Sequence, residues 1–64
     1  MTIVLNGESR ETRAATLADL LHEAGFGPRV ATARNGSFVP AGQRMATALQ
    51  DGDRIEVVAP MQGG

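Results

Sequence analysis

Short apolar runs separated by turn dipeptides open the chain. Residues 1–5 are mostly apolar and β-branched. They run into Asn6-Gly7, a pair that tolerates the positive φ angles of a tight hairpin turn. Residues 8–12 are polar, so we expect the returning strand at a solvated sheet edge, where charge discourages pairing with other chains. The pattern predicts an N-terminal β-hairpin.

A helical pattern follows the hairpin. Thr16 is placed to cap the first turn, and Asp19 stands three residues later, where a capping box usually has Glu. Gly25 suits the left-handed position after the last turn, and Phe26 can make the accompanying apolar contact. Apolar residues recur between these ends at the i, i+3, i+4, i+7 spacing of a helix with one buried face: Leu17, Leu20, Leu21 and Ala24.

The second half of the chain contains another hairpin pattern. Residues 30–34 are a strand candidate that ends at a second Asn-Gly pair, 35–36. The short apolar pair 38–39 is the candidate for the returning strand. Pro40 ends that strand, because proline cannot donate a hydrogen bond to a ladder. These residues predict a short second hairpin.

Residues 41–48 show the least regular pattern. Met45 and Leu49 are spaced to be buried on one helical turn. The sequence at 51–53 is a turn signal, and residues 54–58 alternate before becoming fully apolar. That last segment is typical of a central strand.

The order of elements is ββαββ with an extra short strand, which predicts an α+β β-grasp fold. We expect a mixed sheet of about five strands, with one main helix packed on one face. The first and last long strands should be parallel neighbours, because a crossover with a helix lies between them. Residues 1–58 form the predicted domain, and residues 59–64 form a flexible tail ending in Gly-Gly.

The tail carries the candidate chemistry. Six extended residues span at most about 20 Å, enough to enter the active site of another protein. The carboxylate of Gly64 is ionised at neutral pH and is an inert acyl group. Reaction with ATP would give an acyl-adenylate that sulfur, an amine or a thiol could displace. Gly63, without a Cβ, suits passage through a narrow channel.

Composition excludes several other classes of function. The chain has no cysteine and one histidine, which excludes a disulfide framework, a zinc finger and a thiol nucleophile. The net charge is −1 and only two residues are aromatic, which argues against a nucleic-acid surface. Apolar runs are too short to cross a bilayer and no signal-peptide pattern is present. We therefore expect a cytoplasmic protein.

No catalytic centre or metal site is predicted. His22 has no apparent nucleophile or orienting partner, so we interpret it as an ordinary surface histidine. Asp51 and Asp53 lack the further oxygen ligands of a calcium loop, and turn chemistry explains them better. The basic residues are all arginine, which disfavours a modifier that is linked into chains through its own lysines.

The turn and strand motifs together resemble one family. In this order and spacing they are similar to the ThiS-type sulfur carriers of thiamin biosynthesis, which are ubiquitin-like. A binding surface on the exposed sheet face is expected by the same analogy. The motifs cover nearly the whole chain: Asn6-Gly7-Glu8, Thr16-Leu17, Leu20-Leu21, Asn35-Gly36, Val39-Pro40, Asp51-Gly52-Asp53, Ile55-Glu56-Val57-Val58 and Gly63-Gly64.

The resemblance implies a reaction cycle at Gly64. A ThiF-type enzyme would adenylate it, a sulfur-relay enzyme would form the thiocarboxylate, and a ThiG-type thiazole synthase would receive the sulfur. Gly63, Gln62 and Met61 would thread into the partner active sites. The chain itself would be a carrier and not an enzyme, with no bound cofactor, because ATP and Mg²⁺ belong to the activating partner.

Some positions depart from the family pattern. Ala41 stands where a basic residue is common, and Arg44 stands where an aromatic residue is common. These two departures put in doubt the partner contacts that the family would make through this loop. Arg34 is more polar than expected. Alternatives also stay open: a carrier for molybdopterin, cysteine or tRNA thiolation, or a modifier joined to targets through Gly64. A third class is a passive interaction domain with a disordered end.

Overall fold

The structure, a computed structural model, describes residues 1–59. It contains one α-helix, one 3₁₀ helix and five strands within that range. In chain order these are β1 Thr2–Leu5, β2 Glu8–Glu11, α1 Leu17–Ala24, β3 Ala31–Arg34, β4 Ser37–Val39, the 3₁₀ helix Ala41–Ala46 and β5 Arg54–Val58.

The strands form one mixed sheet in the order β2-β1-β5-β3-β4. Strands β1 and β5 are parallel, and the other neighbours are antiparallel. The first and last strands therefore lie side by side at the centre, and β2 lies at an edge. This confirms the predicted β-grasp arrangement, with β5 as the central strand.

Both Asn-Gly pairs form the predicted hairpin turns. Asn6 and Gly7 have φ angles of 50° and 83°, and Asn35 and Gly36 have 51° and 84°. Two successive positive φ angles match the right-handed twist of the flanking strands, which is why asparagine followed by glycine is favoured there. Each turn fixes the register of its own hairpin.

The helix begins and ends at the predicted residues. The hydroxyl of Thr16 accepts a hydrogen bond of 3.2 Å from the backbone N–H of Asp19, which is the threonine half of a capping box. Gly25 adopts φ 82° after the last turn, and its N–H donates to the carbonyl of His22. The N–H of Phe26 donates to the carbonyl of Leu21 at 2.9 Å, so a Schellman-type closure ends the helix.

The core lies between α1 and one face of the sheet. Burying each large aliphatic side chain contributes about 1.5–3 kcal/mol relative to its exposed state. Thr32 shares this core, where its hydroxyl donates to the carbonyl of Val39 at 2.8 Å. The buried apolar residues are Ile3, Ala14, Leu17, Leu20, Leu21, Val39, Leu49, Ile55 and Val57.

One packing prediction was wrong. Leu49 is buried as expected, but Met45 is 80% exposed and Arg44 is only 7% exposed. The segment is a 3₁₀ helix, in which side chains follow a period of three residues, and it turns position 44 inward. A hydropathy pattern cannot predict this, because it places the methionine inside and the arginine outside.

Candidate functional site

The predicted site residues Gly64, Gly63, Gln62 and Met61 lie outside the described residues. The structure does describe the point from which the chain continues toward them. Strand β5 ends at Val58, in the middle of the sheet. The predicted tail therefore follows directly after the central strand.

Strand β5 extends past the end of its neighbour β1. The last paired residues are Leu5 and Ile55, and the N–H of Asn6 donates to the carbonyl of Ile55 at 2.9 Å. Beyond that point the side chain of Asn6, in place of a strand backbone, forms the hydrogen bonds with β5. Its Oδ1 accepts from the N–H of Val57 at 2.8 Å, and its Nδ2 donates to the carbonyl of Val57 at 3.1 Å. The amide group thus pairs with β5 as a further strand residue would.

A second side chain holds the start of β3. The guanidinium of Arg44 donates to the carbonyl of Pro28 at 3.2 Å, to the hydroxyl of Thr32 at 3.2 Å and to the carbonyl of Val30. Strand β4 stops at Val39, so Arg44 donates to these carbonyls beyond the end of that strand. Arg44 is therefore largely an internal residue, and its guanidinium is engaged in holding residues 28–32.

The last strand pair borders a shallow apolar cavity. Val58 pairs with Ala31 as the final residue pair between β5 and β3. Ala59 follows and lines the cavity together with residues 25–30, which include the half-buried side chains of Phe26 and Val30. Apolar surface thus surrounds the start of the predicted tail.

The sheet face opposite α1 is open and partly apolar. Residues of β5 alternate, with Ile55 and Val57 buried and Val58 65% exposed on the other face. On β4, Phe38 pairs with Ala33 and is 69% exposed. We call the surface formed by Phe38, Ala33, Ala31 and Val58 the open-face patch.

A polar cluster holds the opposite end of β5. The carboxylate of Asp53, only 5% exposed, accepts from Arg34 Nε at 2.9 Å, Asn35 Nδ2 at 3.0 Å and the N–H of Gln50 at 2.8 Å. Burial alone raises the pKa of Asp53, but the hydrogen bonds from Gln50, Asn35 and Arg34 and the positive charge of Arg34 outweigh it, so the pKa lies below its ordinary value. This cluster explains why position 34 is polar.

A second carboxylate links α1 to the first hairpin. Glu23 accepts from the hydroxyl of Thr12 at 2.8 Å and forms an ion pair of 3.3 Å with Arg10. The Thr12 hydrogen bond is the main cause that lowers the pKa of Glu23. Burial opposes it, and the N–H of Arg13 and the Arg10 side chain lower the pKa further. These partners give the Glu23 carboxylate a structural role, because they tie α1 to the first hairpin.

The remaining candidates fit structural roles. His22 lies exposed on α1, and Asp51 lies in the turn before β5, where it accepts from the N–H of Thr2 at 2.8 Å. Within residues 1–59, His, Asp and Glu form no group of three or more that could hold a metal ion. In the same range, no helix is long and apolar enough to cross a membrane.

Fold and sequence together define the class of protein: a small β-grasp domain whose sequence continues from the central strand through residues 59–62 to Gly63-Gly64. The chain belongs to the ThiS family, the ThiS-type sulfur carriers, because the sequence model of that family matches residues 3–64. The match includes the terminal Gly63 and Gly64.

Solved structures agree with this assignment. The crystal structure of the thiamine biosynthesis protein ThiS from Geobacter metallireducens is similar with a TM-score of 0.84 and 26% identity over the full length of both chains. A solution structure of a thiamine biosynthesis protein from that organism gives a TM-score of 0.83, again with 26% identity, and covers all of this chain and 88% of the other.

The curated relatives are longer proteins. The chain is 42% identical to a thiazole synthase of Paramagnetospirillum magneticum and 46% identical to a thiazole synthase of Magnetococcus marinus. In each case all of this chain is covered but only 20% of the relative. The chain thus spans about a fifth of the length of the curated relatives it matches.

Proposed function

We propose that this chain carries sulfur for the formation of the thiamin thiazole ring, with the carboxylate of Gly64 as the group that is activated. The single observation that carries the proposal is the family match, which extends from residue 3 to residue 64 and so includes the Gly-Gly terminus. Carrier chemistry at the last residue requires that this terminus be part of the shared pattern.

The proposed chemistry has two steps at the Gly64 carbonyl carbon. A carboxylate oxygen attacks the α-phosphorus of ATP on a ThiF-type enzyme, pyrophosphate leaves, and an acyl-adenylate forms. Hydrosulfide supplied by a relay enzyme then attacks the carbonyl carbon, the bond to the adenylate oxygen breaks, AMP leaves, and the thiocarboxylate remains. ATP and Mg²⁺ act in the activating enzyme, and the chain is its substrate.

A ThiG-type thiazole synthase is the proposed sulfur acceptor. Two relatives with this name contain a region similar to the whole chain within a polypeptide about five times as long. Covalent linkage would raise the local concentration of a carrier at its acceptor, which a flexible connection can bring to the millimolar range. The presence of both regions in one polypeptide supports a functional pairing of the two.

The open-face patch is the proposed docking surface for the activating enzyme. It lies beside the end of β5, so a partner bound there would stand next to the start of the tail. Large exposed aromatic residues supply much of the binding energy in protein interfaces. Phe38, at 69% exposure, is the strongest candidate for such an anchor.

Replacing Phe38 with serine is therefore expected to raise the KM for the chain in ATP-dependent activation by about fivefold or more, since anchor residues contribute at least about 1 kcal/mol. The folded state should be little affected, because the side chain is mostly exposed. Met45→Ser is the matched control: Met45 is equally apolar and 80% exposed, but it lies on the helical side of the domain. Equal KM values for the two variants would contradict docking at this face.

Intact-mass spectrometry of the protein from its native cells tests the function itself. A species in which one oxygen is replaced by sulfur, located to Gly64 by fragmentation, is the expected result. Isopeptide conjugates through Gly64 would indicate a protein modifier instead. A native product that continues past Gly64 without trimming would contradict the proposal.

A further inference from the structure

Side chains hold the last residues of β5 directly on one flank and, on the other flank, through the start of the neighbouring strand β3. On the β1 side, Asn6 makes two hydrogen bonds to the backbone of Val57. On the β3 side, Arg44 holds the carbonyls of Pro28 and Val30, directly before the β3 residue that pairs with Val58. Backbone pairing of β5 with β1 ends at Leu5, and the pairing of β3 with β4 ends at Val39, so Ala31, the partner of Val58, has no partner on β4.

We infer that Asn6 and Arg44 are positioning residues: they fix where and in which direction the chain leaves the sheet, and so place the reactive terminus in a partner's active site. We call this pair of side chains the exit clamp. The inference rests on the proposed function for its consequence, but the clamp itself is a structural feature that can be measured separately.

The geometry at Asn6 is specific to an amide. Oδ1 accepts from the N–H of Val57 while Nδ2 donates to its carbonyl, which requires one acceptor and one donor on the same side chain. An aspartate could only accept, and an alanine could do neither. The turn conformation at φ 50° explains the presence of asparagine, but it does not require these two bonds.

Burial holds the side chain of Arg44 in one position. Arg44 as a residue is 7% exposed, and the acceptors of its guanidinium within the described residues are neutral oxygens. Its planar fork reaches Pro28, Val30 and Thr32 at once, which a lysine ammonium cannot reproduce. Arg44 therefore holds the segment 28–32 that borders the exit of the chain at Ala59.

A clamp at the exit should affect rate rather than docking. Once the tail is fully extended in a partner's active site it has no slack, so the distance between the reacting atoms then depends on where the tail begins, and a displacement of about 1 Å can reduce a rate by up to 100-fold. Docking through the open-face patch is a separate contact. Loss of the clamp is thus expected to lower kcat and to leave KM nearly unchanged, the opposite of the expectation for Phe38→Ser.

Asn6→Gly tests the clamp without disturbing the turn, because glycine also adopts the positive φ angle required there. Asn35→Gly is the matched control. Asn35 has the same residue type and a φ of 51°, but its side chain holds the other end of β5: Oδ1 accepts from the N–H of Arg54 at 2.8 Å and Nδ2 donates to Asp53. The two substitutions remove the same group from opposite ends of one strand.

The first readout is amide hydrogen exchange by NMR, which needs no partner enzyme. In Asn6→Gly we expect exchange at Val57 and Val58 to become at least about tenfold faster, with Arg54 unchanged. In Asn35→Gly we expect the opposite result: faster exchange at Arg54, with Val57 and Val58 unchanged. Uniform acceleration along β5 in both variants would overturn the clamp as a local feature.

The second readout is ATP-dependent activation by a ThiF-type enzyme. Asn6→Gly should lower kcat by about fivefold or more with KM within about twofold, and Asn35→Gly should leave both within about twofold. If kcat fell in both variants in proportion to their loss of stability in urea, the role of Asn6 would be purely structural, and the inference would be overturned. If the unsubstituted chain is not activated at all, the proposed function fails, while the exchange experiment still tests the clamp.

Arg44→Met gives an independent test from the other flank, with Arg13→Met as its control. Both remove a guanidinium, but Arg13 is exposed in the loop before α1. We expect faster exchange at Ala31 and Val58 and a lower kcat in Arg44→Met only, with Arg44→Lys restoring neither fully. Unchanged exchange at Val58 in a folded Arg44→Met variant would overturn the role of Arg44.

Discussion

Deletion of Gly64 is expected to reduce ATP-dependent activation at least about 100-fold, because the shortened carboxylate falls about 3.5 Å short of the position that the full tail reaches. Strand β5 ends at Val58, six positions before Gly64, so the free energy of unfolding should change by less than about 0.5 kcal/mol. Adenylation can be measured as pyrophosphate release, and stability by urea unfolding.

Gln62→Ala is the control for this deletion. It changes a tail side chain but keeps the length of the tail and both terminal glycines, so its activation should stay within about tenfold of the unsubstituted chain, as expected when one contact is removed. If the chain without Gly64 were activated at the same rate as the full chain, the proposal that activation requires the carboxylate of Gly64 would be contradicted.

Asp53→Ala is expected to destabilise the fold by about 3 kcal/mol or more, because the carboxylate accepts several hydrogen bonds and each bond to a charged group contributes about 1.5–3 kcal/mol. Arg34 would lose its carboxylate, and the N–H of Gln50 and the amide of Asn35 would lose their acceptor. A domain of this size has only about 3–5 kcal/mol of stability. A largely unfolded variant at 25 °C is therefore the expected result.

Circular dichroism is the suitable measurement, since the chain has no tryptophan or tyrosine to report unfolding by fluorescence. Asp51→Ala is the control from the same turn. Asp51 is exposed and accepts one hydrogen bond, from the N–H of Thr2, so its loss should cost only about 1 kcal/mol. Similar losses of stability in both variants would contradict a large contribution of the Asp53 cluster to the free energy of unfolding.

The pH dependence of stability provides a second check on Asp53. Its pKa is lowered in the folded state, so the unfolded chain binds more protons as the pH falls below about 4, the ordinary pKa of an aspartate. The contribution of Asp53 is thus complete above that pH and is lost on acidification. In Asp53→Asn this part of the acid loss should disappear, while the part that belongs to Glu23 remains.

The elements that the sequence predicted have local causes. Asn6-Gly7 and Asn35-Gly36 form their turns because of their own backbone preferences, and the bounds of α1 follow from Thr16 and Gly25, each acting within one helical turn. Such signals act over a few residues and can be read directly from the chain.

The predictions that failed or were incomplete concern partners far apart in sequence. Met45 was assigned to the core and the burial of Arg44 was not predicted, because the carbonyls of residues 28 and 30 that Arg44 binds come from a separate segment. Asp53 was interpreted as a turn residue only, because Arg34 lies 19 positions away. No local pattern contains these contacts.

The sequence by itself determined the order of elements, both hairpin turns, the ends of the helix, the family and the identity of Gly64 as the candidate reactive residue, since each depends on residue type and short spacing. The tertiary structure alone decided that Asn6 holds the end of β5, that Arg44 holds residues 28–32 beside it, and that Asp53 anchors the start of β5. The physical reason is that these roles arise from hydrogen bonds across 51, 14 and 19 positions, which exist only once the sheet has assembled.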